Sequence, residues 1–538
     1  GRYMAYYKDL RQYLEFLEAR GKLTRIRRPM VKETEILPLV RLQFRGLPEE
    51  ERRAFLFEKV IDVKGRSYDG MVATSWCSAS RQLVAWGMGC EDPSEIYERW
   101  HSAAANPLQP VLVESGPVQE EVHIGPELAE LGLDELPIPV EDPGTSGTIR
   151  TTNQFITRDP ETGIRNVGTY SGQIRARDRL VWNVSPIHHG FLFHWRKARA
   201  MGIPLQGAIV IGATPNVQYV GAANIPYGVD ELAVAGGLAG EPVELVRCKT
   251  VDLEVPANAE IVIEVEISTE VLEPLTAFCE YPGYTMMVPV PDPIMKVTAI
   301  THRKSPIFTP YLVGMIPSDD SVLHRSVLEC EYYHHLKYDC NLPVVQDVAF
   351  HDSGGATSYC VVRIKKTHPS QPWQVLYALM GKDPVYGKIA IVVDEDVNPQ
   401  DPEMVNWALS FSMQPQRDIR ILEGRAAGLD PSSAPHTTPG KDWGYPPPMG
   451  CSALLIDATR KWPYPPVGLA TKEHMERAIE LWREEGLPAL KLRPPWHSYN
   501  LGLWREDDEE NARLIVQGDY IKLGEKMARR QTPVEDEH

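Results

Sequence analysis

Between Val122 and about Ile300 the apolar residues recur at every second position, in short runs cut by Gly and Pro. Ile261, Ile263, Val265 and Ile267 alternate with Val262, Glu264 and Glu266, the pattern of a strand buried on one face. Ala208 to Ile211 is an unbroken apolar run between two glycines, as a fully buried strand would be. A period of two does not suit a helix, so this stretch is expected to form a β-rich barrel or sandwich.

The flanks read differently. Asp9 to Gly21 has the period of a helix: Asp9 can cap it, Leu10, Tyr13, Leu14 and Leu17 share one stripe, and Gly21 can end it. Ala54 to Phe57 is strand-like, and Asp92-Pro93-Ser94 opens another helix. Beyond about residue 320, Ile389 to Val393 is a continuous apolar strand running into Asp394-Glu395-Asp396. Asp401-Pro402 then opens a helix whose Met404, Val405, Ala408 and Leu409 share a face, which suggests a doubly wound layer. A chain of 538 residues is longer than one hydrophobic core usually serves. The expected class is therefore an α+β multidomain protein, with an α/β domain over residues 1–115, a β-rich domain over 116–320 and an α/β domain over 321–538. Asp430 to Gly450 is Pro/Gly-rich without periodicity, and a loop of that length is usually functional or disordered. Thr532 to His538 reads as a frayed acidic tail.

Charge narrows the partners. A net charge of −17 argues against nucleic acid and anionic membrane surfaces, because phosphate backbones need a basic face. Any phosphorylated ligand would then be held by local groups or a bound cation. No run of about eighteen apolar residues suggests a membrane-spanning helix. The N-terminus lacks the order of a signal peptide, and Gly1 to Tyr3, ahead of Met4, read as an expression remnant. The eight cysteines are scattered and form no C-x-x-C pair, as in a reducing compartment. The expected location is cytoplasmic, where the Asn183-Val184-Ser185 sequon would be silent.

No phosphate-binding P-loop, H-E-x-x-H, G-x-S-x-G or convincing G-x-G-x-x-G is present, and Gly236-Gly237-Leu238-Ala239-Gly240 is better explained by close packing. What remains lies in the β-rich region. Asn166 sits in Arg165-Asn166-Val167-Gly168-Thr169-Tyr170, His188 in Ser185-Pro186-Ile187-His188-His189-Gly190, and Glu231 closes Ile225-Pro226-Tyr227-Gly228-Val229-Asp230-Glu231. Amide oxygen, imidazole and carboxylate together suit Mn²⁺ or Mg²⁺ bridging to a phosphate. On spacing alone, each is more often a surface residue or a satisfied core residue.

A resemblance changes that weighting. Asp252-Leu253-Glu254-Val255-Pro256-Ala257-Asn258-Ala259-Glu260-Ile261-Val262-Ile263-Glu264, preceded by Val243 to Cys248, is similar to the signature of UbiD-type decarboxylases. Further matches fall in order at Tyr7 to Arg11, Thr157 to Gly163, Glu280 with Pro282-Gly283-Tyr284, Val393 to Val397, Pro415 to Asp418 and Ile456 to Trp462. The resemblance implies a carboxy-lyase with a split-barrel-like middle domain that binds prenylated FMN. Its phosphate would be reached through a divalent metal (Mn²⁺, alternatively Mg²⁺ or Fe²⁺) and K⁺. The family's Asn, His and Glu ligands fall on Asn166, His188 and Glu231. Val167, Gly168, Pro186, Ala222, Ala223 and Pro226 would line the flavin, with Lys388 a loosely aligned match to a lysine near it. The C-terminal α/β domain would border the site as a lid and carry the contacts of a homo-oligomer, a dimer or hexamer. A separate flavin prenyltransferase would supply the cofactor.

The chemistry agrees with this assignment. Loss of CO₂ from an sp² carbon leaves a lone pair outside the π-system, and ordinary side chains make poor sinks for it. A carboxylic acid must then return a proton, ideally one whose pKa is raised by an apolar surround. The family presents a Glu-Arg-Glu trio over the flavin, and this chain departs from it. The arginine position is Ser171, the first glutamate position is Leu275, and only Glu280 is kept. Glu280 is thus the expected proton donor, with Ser171 and Leu275 facing the substrate.

Two readings stand. In one the chain is a non-catalytic flavin-binding subunit. In the other it is active on a substrate that needs no arginine clamp, an aromatic acid or its CoA thioester. The leading specific expectation is phthaloyl-CoA, with Arg196, Lys197 and Arg199 as possible phosphate contacts against a solvated-face alternative. Direction is open too, since an enzyme does not set the equilibrium and the same site could run as a carboxylase. Glu331-Tyr332-Tyr333-His334-His335 with Cys330 and Cys340 is weaker as a metal site, because adjacent helical histidines point apart. Cys279 reads as an inert thiol and Glu244 as structural.

Overall fold

The computed structural model describes residues 5–183, 189–286, 291–426, 428–433 and 451–534. Its first helix, α1 (Leu10–Ala19), is capped by the Asp9 carboxylate, which accepts from the Gln12 N–H. It buries Leu10, Tyr13, Leu14 and Leu17. Each of these side chains contributes roughly 1.5–3 kcal/mol, and the cap about 1 kcal/mol. A small sheet carries strands β1 (Leu23–Ile26), β2 (Ala54–Phe57) and β3 (Met71–Thr74). Its fourth strand, Ile307–Phe308, pairs with β3 and comes from 230 residues further on, out of the stretch assigned to the middle domain. Asp92 caps the turn that leads into α2 (Ile96–Ala105).

The period-two region forms a closed antiparallel barrel of six strands. These are β5 (Asn153–Arg158), β6 (Arg165–Ala176), β7 (Arg179–Asn183), β8 (Leu205–Ile211), β9 (Ile261–Pro274) and β10 (Pro291–His302). They run in the order β7-β6-β5-β8-β9-β10, and β7 pairs with β10 to close the ring. The edge strand β4 (Glu121–Ile124) adds to the end of β10. The expectation for β9 is corrected here: Ile261 to Val265 are buried on both faces, Glu264 included. The Glu264 carboxylate is satisfied by the backbone N–H groups of Lys249 and Thr250, so the polar half of the alternation turns inward under a loop.

Three helices cover the barrel: α3 (His189–Ala200), α4 (Pro215–Ala222) and α5 (Glu231–Ala239). Helix α5 meets α2 through Gly236 and Gly237, where an added Cβ would come within 2.7 Å of the Leu108 and Ala103 carbonyl oxygens. Helix α6 (Asp319–His334) follows, with a capping box at Ser318. A five-stranded sheet comes next, in the order β11 (Val345–Phe350), β12 (Tyr359–Ile364), β13 (Ile389–Val393), β15 (Cys451–Ala458), β14 (Ile419–Arg425). Val361, Ile391 and Val393 pack toward α8 (Pro402–Phe411), and Val362, Ala390 and Val392 toward α7 (Gln371–Lys382). Helices therefore cover both faces, as a doubly wound layer requires.

The first compact unit ends at Ala458 and a second runs from Thr459, inside the stretch treated in the sequence as one domain. The second unit contains α9 (Lys472–Glu484), α10 (Glu506–Val516) and α11 (Tyr520–Ala528), and no residue of these helices is buried. The aperiodic stretch after Asp430 falls mostly outside the described residues. No helix among the described residues is long and apolar enough to cross a membrane.

Candidate active site

The cavity that matters opens on the barrel. It has a volume of about 610 Å³, a size that suits a cofactor together with a small substrate. Strand β6, helices α4 and α5, the segment Leu275–Tyr281, helix α6 and the end of α7 supply its walls.

One wall brings Asn166 and Glu231 together. Asp230 caps α5 by accepting from the Leu232 N–H, and its second oxygen takes Arg165 Nη1 at 2.8 Å. This cap fixes Glu231 in the first turn, where its carboxylate accepts from the Val167 N–H. Burial pushes the Glu231 carboxyl up to about 8, against smaller lowering contributions from backbone N–H groups and Arg165. Its Oε2 is buried without a hydrogen-bond partner. Gly190 of α3 lies so close that a Cβ there would sit 2.3 Å from Asn166 Oδ1, so only glycine lets the helix approach. A buried carboxylate with a free oxygen beside an amide is a donor set that a hard divalent cation takes, so the residues present fit such an ion. His188 and Pro186, the remaining expected members, lie outside the described residues.

Glu280 lines the same cavity. Burial pushes its carboxyl up to about 7; Arg150 works against this and Asp320 with it. Arg150 Nη1 lies 3.4 Å from Glu280 Oε1, and Nη2 donates to the Cys279 carbonyl at 2.7 Å. The far side of the same guanidinium is held by Glu141, with Nε 3.2 Å from Glu141 Oε1 and Nη2 donating to Oε2. The Arg150 side chain is 2% exposed.

Arg150 thus links Glu280 on the cavity wall to Glu141, which does not line the cavity, and neither Arg150 nor Glu141 is at an expected position. Arg150 bridges to Gln173 on β6, two residues from Ser171 along the same strand. Ser171 itself is buried and shares a 2.7 Å hydrogen bond with Thr152. Leu275 packs with Val181, Phe278 and Met286 on the cavity wall. Sequence reasoning missed Arg150 because it looked only at the matching position. Arg150 stands three residues ahead of β5, and its bridge to Gln173 is a long-range pairing that spacing along the chain does not show.

Val167, Gly168, Ala222, Ala223 and Pro226 line the cavity. Lys388 does not: it is paired with Asp430 at 2.6 Å and Ser432 at 3.1 Å, and Lys382 lines the cavity instead. Also missed were Asp320 and His324 on successive turns of α6, joined at 3.0 Å. Burial alone would lower His324, but Asp320 and nearby carboxylates prevail and raise it. Lys197 is held by Asp159 at 2.7 Å, and Arg199 lies over the Trp195 ring. His335 turns its Nε2 to the Ala378 carbonyl while His334 meets His101, although both rings also lie within 4 Å of the Asp339 carboxylate.

Comparison with known proteins bears directly on this geometry. Residues 111–316 match the 3-octaprenyl-4-hydroxybenzoate carboxy-lyase Rift-related domain (UbiD), and residues 322–458 match the C-terminal domain of the same carboxy-lyase. The chain is 34% identical to an uncharacterized protein of Aquifex aeolicus, over 89% of this chain and 99% of that one. An evolved dimeric form of the UbiD-class enzyme HmfF from Pelotomaculum thermopropionicum, solved with prFMN, is similar with a TM-score of 0.74 and 30% identity, covering 88% of this chain and 100% of that one. Vanillic acid decarboxylase of Sedimentibacter hydroxybenzoicus in closed form gives 0.76 and 28% identity, covering 89% and 99%. The barrel, the cavity and these matches over most of the chain lead to one conclusion: the chain belongs to the UbiD family of carboxy-lyases.

Proposed function

We propose that this chain decarboxylates an aromatic carboxylic acid with prenylated FMN, and that Glu280 is the proton donor. The observation that carries the reading is a largely buried carboxyl on the cavity wall, with its pKa pushed up to about 7 and an arginine at 3.4 Å. A group in that state is protonated often enough to donate, and its conjugate base is stabilised once the proton has left. Asn166 and Glu231, with His188, would hold a divalent cation against the cofactor's phosphate. Mn²⁺ leads over Mg²⁺ and Fe²⁺ for that position, and K⁺ would complete the phosphate's neutralisation. The bound prenylated flavin supplies the electron sink that side chains lack.

Four of the five Arg150 N–H donors are committed, to Glu141, the Cys279 carbonyl and Glu280, which leaves one Nη1 N–H toward the cavity. The tie from Lys197 to Asp159 removes one of the three expected contacts for a CoA phosphate. The vanillic acid and 3,4-dihydroxybenzoic acid decarboxylases that this chain is similar to are named for free acids, which favours a free aromatic acid over phthaloyl-CoA. Tyr520 and Ile521, exposed on α11, and Ile515 and Val516, exposed on α10, support self-association as a dimer or hexamer. The physiological direction follows the CO₂ supply.

The test is anaerobic co-expression with a flavin prenyltransferase, followed by mass spectrometry, an absorption spectrum and metal analysis. CO₂ release is then measured on matched panels of aromatic acids and their CoA thioesters. Prenylated FMN with near-stoichiometric divalent metal and turnover of free acids is the expected result. Bound cofactor with no turnover on either panel would favour a non-catalytic flavin-binding subunit.

A further inference from the structure

A second cluster of donor atoms lies away from the cavity, where none of its members lines the wall. His123 sits on the edge strand β4 and His302 ends β10. In the register of these strands Ile300 faces His123 and His302 faces Glu121, so the two imidazoles share one side of the sheet on a diagonal. Glu135 reaches them from the turn Gly132–Glu135.

The hydrogen bonds fix how the rings present themselves. His302 Nδ1 lies 2.7 Å from the Arg303 carbonyl oxygen, which can only accept, so this nitrogen carries the proton. His123 Nδ1 lies 3.1 Å from a Glu127 carboxylate oxygen and is protonated for the same reason. In the neutral rings both Nε2 atoms are then bare lone pairs, and they face each other at 3.2 Å. Glu135 Oε1 completes the convergence, 3.5 Å from His302 Nε2 and 3.9 Å from His123 Nε2, and is buried with no hydrogen-bond partner. Three electron pairs aimed at one point repel one another unless a proton or a metal cation sits between them. Zn–N bonds of about 2.0–2.1 Å at a tetrahedral angle put two nitrogens roughly 3.3–3.4 Å apart, close to the separation seen. Carboxylate and carbonyl partners on the second ring nitrogen are also what orient metal-binding histidines.

We propose that His123, Glu135 and His302 form a divalent-cation site selective for Zn²⁺-like ions, which ties the edge strand β4 and the turn to the barrel. The side chains of His123 and His302 are 27% and 12% exposed, which leaves solvent a fourth ligand position. With three protein ligands the site is expected to load from solution and to raise Tm, because it binds the folded chain alone.

The test uses the full chain after passage over a chelating resin, titrated with Zn²⁺ and separately with Co²⁺. Glu231→Gln removes one ligand of the flavin-side cation position and serves as the background. In that background one equivalent of Zn²⁺ binds, Tm rises by several degrees, and Co²⁺ gives the intense visible bands of a four-coordinate site. Adding His302→Gln, or the nearly isosteric Glu135→Gln if the first misfolds, lowers Zn²⁺ affinity at least tenfold and removes the bands. Zn²⁺ uptake that is absent from Glu231→Gln, or unchanged by either added substitution, overturns the proposal; a proton shared between the rings is then what holds them together.

Discussion

Glu231 and Glu280 line one cavity, and burial pushes both carboxyls toward neutrality, to about 8 and about 7. Their neighbours separate them. Glu280 has a guanidinium at 3.4 Å, whereas Glu231 keeps an oxygen with no hydrogen-bond partner, and the nearest arginine, Arg165, is committed to Asp230. Burial with unequal compensation gives the two carboxyls different work. The arginine-backed carboxyl is poised to give up a proton. The uncompensated one has the electron pair and the unmet charge that a cation requires.

Removing each group should separate these roles. Glu231→Gln is expected to have the largest effect, with retained divalent metal and flavin falling at least about 10–100-fold, the scale of lesser changes around metal ligands. Flavin absorbance and metal content of the purified variant measure it, and unchanged occupancy would merge the two carboxyls into one role. Arg150→Met should cost about 3–5 kcal/mol in urea unfolding, because it strips the partner from buried Glu141. Arg150→Lys keeps the charge but loses the fork. Since Arg150 holds the Glu280 carboxyl down, weakening that contact raises its pKa and keeps the acid protonated to higher pH. The alkaline limb of the kcat/KM profile should therefore move up, by at most the roughly 1–3 units a full opposite charge is worth. A downward shift would break the pairing.

The smallest effect is on stability. Glu231 binds its proton more tightly folded than unfolded, so in metal-free protein its contribution is complete below the ordinary glutamate value of 4.5 and is lost as pH rises toward about 8. Tm should fall across that window, and Glu231→Gln or added Mn²⁺ should flatten the fall. An identical slope in wild type and Glu231→Gln would place the titrating group elsewhere.

How much of this was legible in the sequence depended on where the information lay. Helix α1 could be read to the residue because its stripe and its cap are both local, and the β-rich middle was legible, as a barrel or a sandwich, because its short apolar runs are cut by Gly and Pro. Arg150 was not, because a matching motif compares positions along the chain while strand pairing decides which side chains meet. Position 171 is empty of charge, yet Arg150, bridged two positions away along β6, brings a guanidinium to the same cavity. Asp320 and His324 were hidden for a related reason: helical spacing shows that they share a face, and only the packing of α6 shows that this face meets the cavity. Glu264 broke the simple reading of alternation because a loop N–H pair satisfied it from above the strand.

The most direct test of the proton-donor assignment is CO₂ release by Glu280→Gln on the aromatic acid that wild type turns over, at matched prenylated-FMN occupancy. Turnover falling by about 10²–10⁴-fold with the cofactor still bound is the predicted result. Full turnover in the variant would contradict the account, since the buried carboxyl beside Arg150 would then deliver no proton.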